Sequence, residues 1–192
     1  LAANGIHHGT FRFEQGNPNL TPETAFEIRT NAKLSNVSKN LTFEIHSFTS
    51  LHKGFIHLKP TASFAPIAHG GQIYAFQATD AFRTGFEMDV NLQRGKSLFK
   101  TTSSLLGQWA LETGLGLPFT PPLDLFNSYS YSIRDNLSLT FSHRAIAPSF
   151  ILARNEDFTE GVSLLGCELK LNGKKGIFHF KVDNILNRSW LD

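Results

Sequence analysis

Cysteine and methionine are nearly missing from this chain, whose 192 residues include one of each. A lone thiol excludes an internal disulfide framework and a Cys-rich metal site. Long apolar runs are missing as well. None approaches the roughly 18 residues that a membrane helix needs, and few stretches carry the 3.6-residue apolar spacing of any helix. Charge of one sign is nowhere concentrated. The formal net charge is +2, and no Lys or Arg run makes a phosphate-tracking patch, so no nucleic-acid partner is expected. The opening residues lack the basic start and apolar core of a secretory signal, and the chain is expected to be a fragment of a longer protein.

What the chain has in quantity is phenylalanine, with 18 residues, much of it set in alternation with polar side chains. Phe82, Phe86, Met88, Val90 and Leu92 fall on one parity, and Arg83, Glu87, Asp89, Asn91 and Gln93 on the other. Phe26, Ile28, Ala32 and Leu34 oppose Glu27, Arg29, Asn31, Lys33 and Ser35 in the same way. Side chains of a strand point to opposite faces with a period of two, so these are long strands with one oily and one polar face. Eight strands are predicted, at 25–35, 41–58, 72–93, 98–112, 123–134, 137–149, 161–171 and 176–185. Prolines are few inside them, as an unbroken ladder requires.

The connections alternate in kind. Those at 36–40, 94–97, 134–136 and 172–175 are short and rich in Asn, Asp, Gly, Lys and Arg, whereas 59–71, 113–122 and 150–160 are longer. Short turns at one rim, long loops at the other and strands beyond the ~9–11 residues that cross a bilayer describe a membrane β-barrel. In that setting the apolar face meets lipid and the polar face, with Arg83, Glu87, Asp89 and Asn91, lines the lumen. Cys167, between Leu165 and Leu169 on an apolar face, is expected to be buried or lipid-facing. Phe55, Tyr74, Phe76, Trp109, Phe126, Tyr129 and Phe150 crowd near strand ends, where interfacial aromatic girdles form. The fold class expected is all-β: an antiparallel up-and-down meander of about eight strands, open at both edges. The alternative is a soluble β-sandwich or barrel binding module, with Phe26, Phe86 and Leu92 in its interior.

Four motifs carry a resemblance. Gly16–Asn17–Pro18–Asn19–Leu20–Thr21–Pro22–Glu23 follows the His7–His8 segment, and Ala78 to Ala81 leads into Gly85–Phe86–Glu87. Leu117–Pro118–Phe119 precedes Pro121–Pro122, and Val182–Asp183–Asn184–Ile185–Leu186–Asn187 lies near the end. In this order they resemble the late barrel of TonB-dependent outer-membrane receptors. The resemblance implies a C-terminal barrel fragment, with 1–23 as extracellular loop, 24–187 as barrel strands and loops, and the plug domain absent. It implies energised uptake of a scarce nutrient across a Gram-negative outer membrane, no enzyme activity and no cofactor. An iron–siderophore complex is the first expectation, followed by zinc or another metal, haem, cobalamin or an oligosaccharide. Partners would be outer-membrane lipid, TonB through the plug, and a small chelate or metal.

Among single residues, His7 and His8 stand out as imidazole ligands that Glu14 and His69 could complete into a metal site. Against this, adjacent residues of an extended strand point opposite ways. His46 and His52 share a parity that His57 does not, so these three are expected to be separate lumen or rim residues. No serine lies in a nucleophile elbow, which argues against catalysis by His143 and Asp157.

Overall fold

The computed structural model describes residues 4–7, 12–36, 40–67, 71–154 and 156–189, and among these the chain is all β. Ten strands run in order: β1 (Gly5–His7), β2 (Arg12–Gln15), β3 (Thr24–Asn36), β4 (Leu41–Phe64), β5 (Gln72–Arg94), β6 (Ser97–Ala110), β7 (Asp124–Arg134), β8 (Leu137–Ile146), β9 (Val162–Gly173) and β10 (Gly176–Val182). From β3 onward each strand pairs antiparallel with the next, which is the expected eight-strand meander. The addition is a hairpin of β1 and β2 inside the predicted loop, and β2 pairs parallel with β5 through Phe13–Ile73, Glu14–Tyr74 and Gln15–Ala75. The sheet is open, with β1, β3 and β10 each paired on one side only.

Register keeps the alternation in phase across strands. Met88 lies between Ile45 and Ser103, and Glu87 between His46 and Ser104. Residues directly opposite share a face, so one slipped residue would exchange the two faces of a whole strand. The outer face therefore collects Phe26, Ile28, Leu34, Phe99, Phe141, Leu165, Phe178 and Phe180. Phe26 is 69% exposed and Phe141 53%, and among the described residues no second sheet covers them. A sandwich would bury this face. Cys167 sits on it, opposite Val182 and Phe141.

Several ends differ from the sequence reading. β4 continues past residue 58 to Phe64, well into the expected 59–71 loop. Pro60 is tolerated because it lies where the pairing with β5 becomes irregular. β8 stops at Ile146, two residues before Pro148, and β10 stops at Val182, before Asn184 takes a φ of +52°. Glycines allow close contacts within the wall, Gly85 and Gly107 among them. A Cβ on Gly85 would fall 2.6 Å from the Leu105 carbonyl oxygen and 2.8 Å from the Phe48 ring. Gly107 lies under the Trp109 ring, which stacks on Phe82 at 5.9 Å between centroids. Burial is densest towards the long-loop end, where Ala81, Leu117 and Ala153 are packed away from solvent.

Candidate functional site

Polar residues of successive strands meet on the inner face. Lys33 pairs with Glu44 at 2.9 Å, and His46 contacts Asn31 at 2.9 Å and Glu44 at 3.1 Å. Further along, Arg144 grips Asp124 with donors at 2.6 and 3.1 Å, and His179 meets Glu168 at 2.9 Å. Exposed pairs of this kind contribute only ~0–1 kcal/mol each, so they describe a hydrated recognition surface more than a source of stability. Several cavities open on this face. One of about 720 Å³ is lined by Glu27, Arg29, His46, Arg83 and Glu87, and one of about 680 Å³ by Glu87, Asp89, Asp124, Arg144 and Lys181. Arg83, Glu87 and Asp89 share the polar face that these cavities open on, and Asn91 lines a shallower depression near the short turns. Phe126, expected in a girdle, also faces inward and lines the 680 Å³ cavity.

Above this wall β4 carries a bulge. Its register against β5 shifts by one residue between His52 and Phe55, and Gly54 adopts a φ of +69° that favours glycine. Asp80 holds the bulge by accepting the Gly54 N–H at 2.9 Å, and Glu23 accepts the Ile56 N–H at 3.1 Å. The extra residue reverses the parity. His57 therefore shares the inner face with His46 and His52, contrary to the alternation read from the sequence, and Phe55 turns inward with it instead of joining a girdle. The result is a column in which Phe55 packs against His52 at 5.1 Å and stacks on His57 at 6.5 Å. Arg83 lies 5.0 Å from the Phe55 ring centroid and 6.0 Å from that of Phe48, while its Nε donates to Gln108 at 3.1 Å. Ser50 is fully buried and contacts the His52 Nε2 at 3.1 Å; His52 Nδ1 is buried without a partner. Burial, with the like charge of Lys59 as a smaller cause, lowers the His57 pKa below its ordinary value.

The rim is built from segments far apart in sequence. Arg12 of β2 lies over the Tyr74 ring at 5.6 Å and the Phe119 ring at 5.2 Å, and pairs with Glu14 at 2.9 Å. Glu156 joins the two long loops, accepting the N–H of Phe119 at 2.7 Å and of Ala153 at 3.0 Å. A cavity of about 230 Å³ lies between them, lined by His57, Lys59, Gln77, Thr79, Glu112, Leu117 and Arg154. His7 is exposed on β1, opposite Arg12, and on the long-loop rim because β2 joins β5 near its start. Glu14 is committed to Arg12. His8 and His69 lie outside the described residues, and among the described residues no three His, Cys, Asp or Glu side chains gather as a metal site.

The residues of the sequence motifs act as fasteners. Gly16 donates its N–H to Asn4 at 2.9 Å, and Asn17 Nδ2 donates to the Phe76 carbonyl at 3.2 Å. Pro18 occupies the turn between, Leu20 is half-buried, and Pro22 and Glu23 lie just before β3. Asn184 brackets a turn, donating to the Arg188 carbonyl and accepting its N–H, both at 2.9 Å. Sequence reading missed Arg12, Glu156 and Gln108 and named Phe119 only within a motif, because their importance arises from partners in distant segments.

Comparison with known structures places this architecture. A copper transporter, OprC, superposes with a TM-score of 0.80 at 16% identity, over 92% of this chain and 28% of its own. The chain has the fold of the TonB-dependent receptor barrel. The siderophore receptor PirA from Acinetobacter baumannii matches with a TM-score of 0.66 at 17% identity, covering 92% of this chain and 29% of its own. The ferric enterobactin receptor PfeA from Pseudomonas aeruginosa matches with a TM-score of 0.68 at 18% identity, covering 92% and 28%. The chain thus spans less than a third of the receptor structures to which it is similar. No family model matches the sequence, and no curated protein matches it.

Proposed function

We propose that the chain is the C-terminal part of the barrel of a Gram-negative outer-membrane receptor, whose intact form imports a scarce nutrient with energy delivered through TonB. The observation that carries this reading is the two-sided wall: an uncovered apolar face on eight in-phase strands, backed by a charged face with cavities of about 680 and 720 Å³. Closed barrels are the one β architecture that satisfies every backbone group in lipid. In this reading the outer face meets lipid, β3 and β10 join the rest of the barrel, and the plug and TonB-contacting segment lie elsewhere in the intact protein.

The preferred cargo is an iron–siderophore complex. Support comes from the size of the inner cavities and their mixed charge, and from the similar receptors whose names specify a siderophore or ferric enterobactin. Copper, named for OprC, and zinc, suggested by the His7–His8 pair of the sequence, are the metal alternatives. The test is uptake of radioactive iron by cells deleted for the intact protein and complemented with it. Uptake at limiting ferric siderophore should require the protein and should stop with a protonophore. If the protein fractionates away from the outer membrane, the receptor reading fails. If it localises there but copper or zinc uptake alone depends on it, the cargo assignment fails.

A further inference from the structure

The rim cavity differs in character from the inner wall. Its volume is about 230 Å³, below the ~300–1,000 Å³ of sites that enclose drug-sized ligands, so a whole chelate does not fit. Its fixed charge favours an anion, because Lys59 and Arg154 face the single carboxylate of Glu112. His57 adds an imidazole brought to this side only by the Gly54 bulge, and Gln77 and Thr79 add neutral hydrogen-bonding groups. The walls are preorganised. Leu117 is 2% exposed, and a Cβ on Gly116 would lie 2.9 Å from the backbone of Ile151 and Leu152. Glu156 ties the two loops that form these walls through the Phe119 and Ala153 N–H groups.

We propose that this cavity binds a small carboxylate- or phosphate-bearing anion through Lys59 and Arg154, with His57 as a third donor. The proposal rests on the receptor reading for the protein in which it operates, but on separate residues from the inner wall. Electrostatics and solvation agree. Around His57 the charged groups are Lys59 on its own strand and Glu112 and Arg154 on the two loops, with neutral Gln77 opposite in β5. Without an anion, burial and Lys59 both disfavour the imidazolium; an anion between the cations supplies the missing counter-charge. Arg and Lys donors to a carboxylate or phosphate form charge-assisted bonds.

The experiment titrates the intact receptor, purified in detergent, with citrate and separately with inorganic phosphate by calorimetry, using glucose as the neutral control. One saturable site should bind at least one of the anions and not glucose. Lys59→Gln and Arg154→Gln should each weaken binding about tenfold, and Glu112→Gln should strengthen it. With the anion bound, the His57 ring resonance should titrate at higher pH than without it. Absence of saturable anion binding, or equal binding by the double Lys59→Gln/Arg154→Gln variant with an intact circular dichroism spectrum, overturns the proposal. Cargo uptake without anion binding leaves the receptor reading standing; anion binding in a protein that imports nothing does the reverse.

Discussion

Replacing Phe141 with arginine tests the outer face directly. Phe141 lies four residues beyond Leu137, the first residue of β8. At ~3.4 Å per residue and a tilt of ~40°, that places it ~10 Å from the short-turn rim, near the middle of a ~25 Å apolar band. Its same-face neighbours are Tyr129 and Cys167, and it is 53% exposed in the open wall. In water, so exposed a side chain could change with an effect within ~0.5 kcal/mol. At the centre of a bilayer, Phe141→Arg should cost about 2–4 kcal/mol, a 30- to 700-fold loss in the folding equilibrium by the ~1.4 kcal/mol per tenfold rule. Thr102→Arg is the matched control. Thr102 lines the 680 Å³ inner cavity with Asp89 and Asp124, where a cation is well placed. The assay refolds the intact protein into phospholipid vesicles across a urea series and reads the heat-modifiable gel mobility. Equal midpoints for the two variants would refute the assignment of faces.

Gly85→Ala should lower the same midpoint by about 1–3 kcal/mol, because its Cβ would sit 2.6 Å from the Leu105 carbonyl oxygen, a backbone atom with little freedom to give. Asp80→Ala should cost about 1–3 kcal/mol by leaving the Gly54 N–H without its acceptor, and hydrogen exchange at Gly54 should accelerate by about tenfold or more. His57 should make the rim less stable in acid. Its folded pKa lies below the ordinary 6.5, so the unfolded segment binds more protons as pH falls from ~6.5 towards the lowered value. Stability is lost across that window and levels off beneath it. His57→Gln should flatten the profile in proteolysis measured against pH, and an unchanged slope would discard burial as the cause.

Much of the wall is legible in the chain because it depends on local chemistry. The alternation of Phe82, Phe86, Met88, Val90 and Leu92 with charged residues specifies a strand with two unlike faces, and Gly95 at a φ of +54° marks a tight turn where polar turn residues foretold one. The asymmetry of short and long connections orients the meander, and period two alone puts Arg83, Glu87, Asp89 and Asn91 on one face. The tertiary structure decided what depends on partners far along the chain. One extra residue at Gly54, held by Asp80 from 26 residues away, moves His57 and Phe55 to the inner face; a pattern of period two carries no mark of where it will be interrupted. Arg12 meets Phe119, and Glu156 meets Phe119 across 37 residues, because the rim brings together loops whose closure no local propensity encodes. Periodicity is a property of each strand taken alone, whereas a rim site is a property of the register and bulges that align one strand with the next.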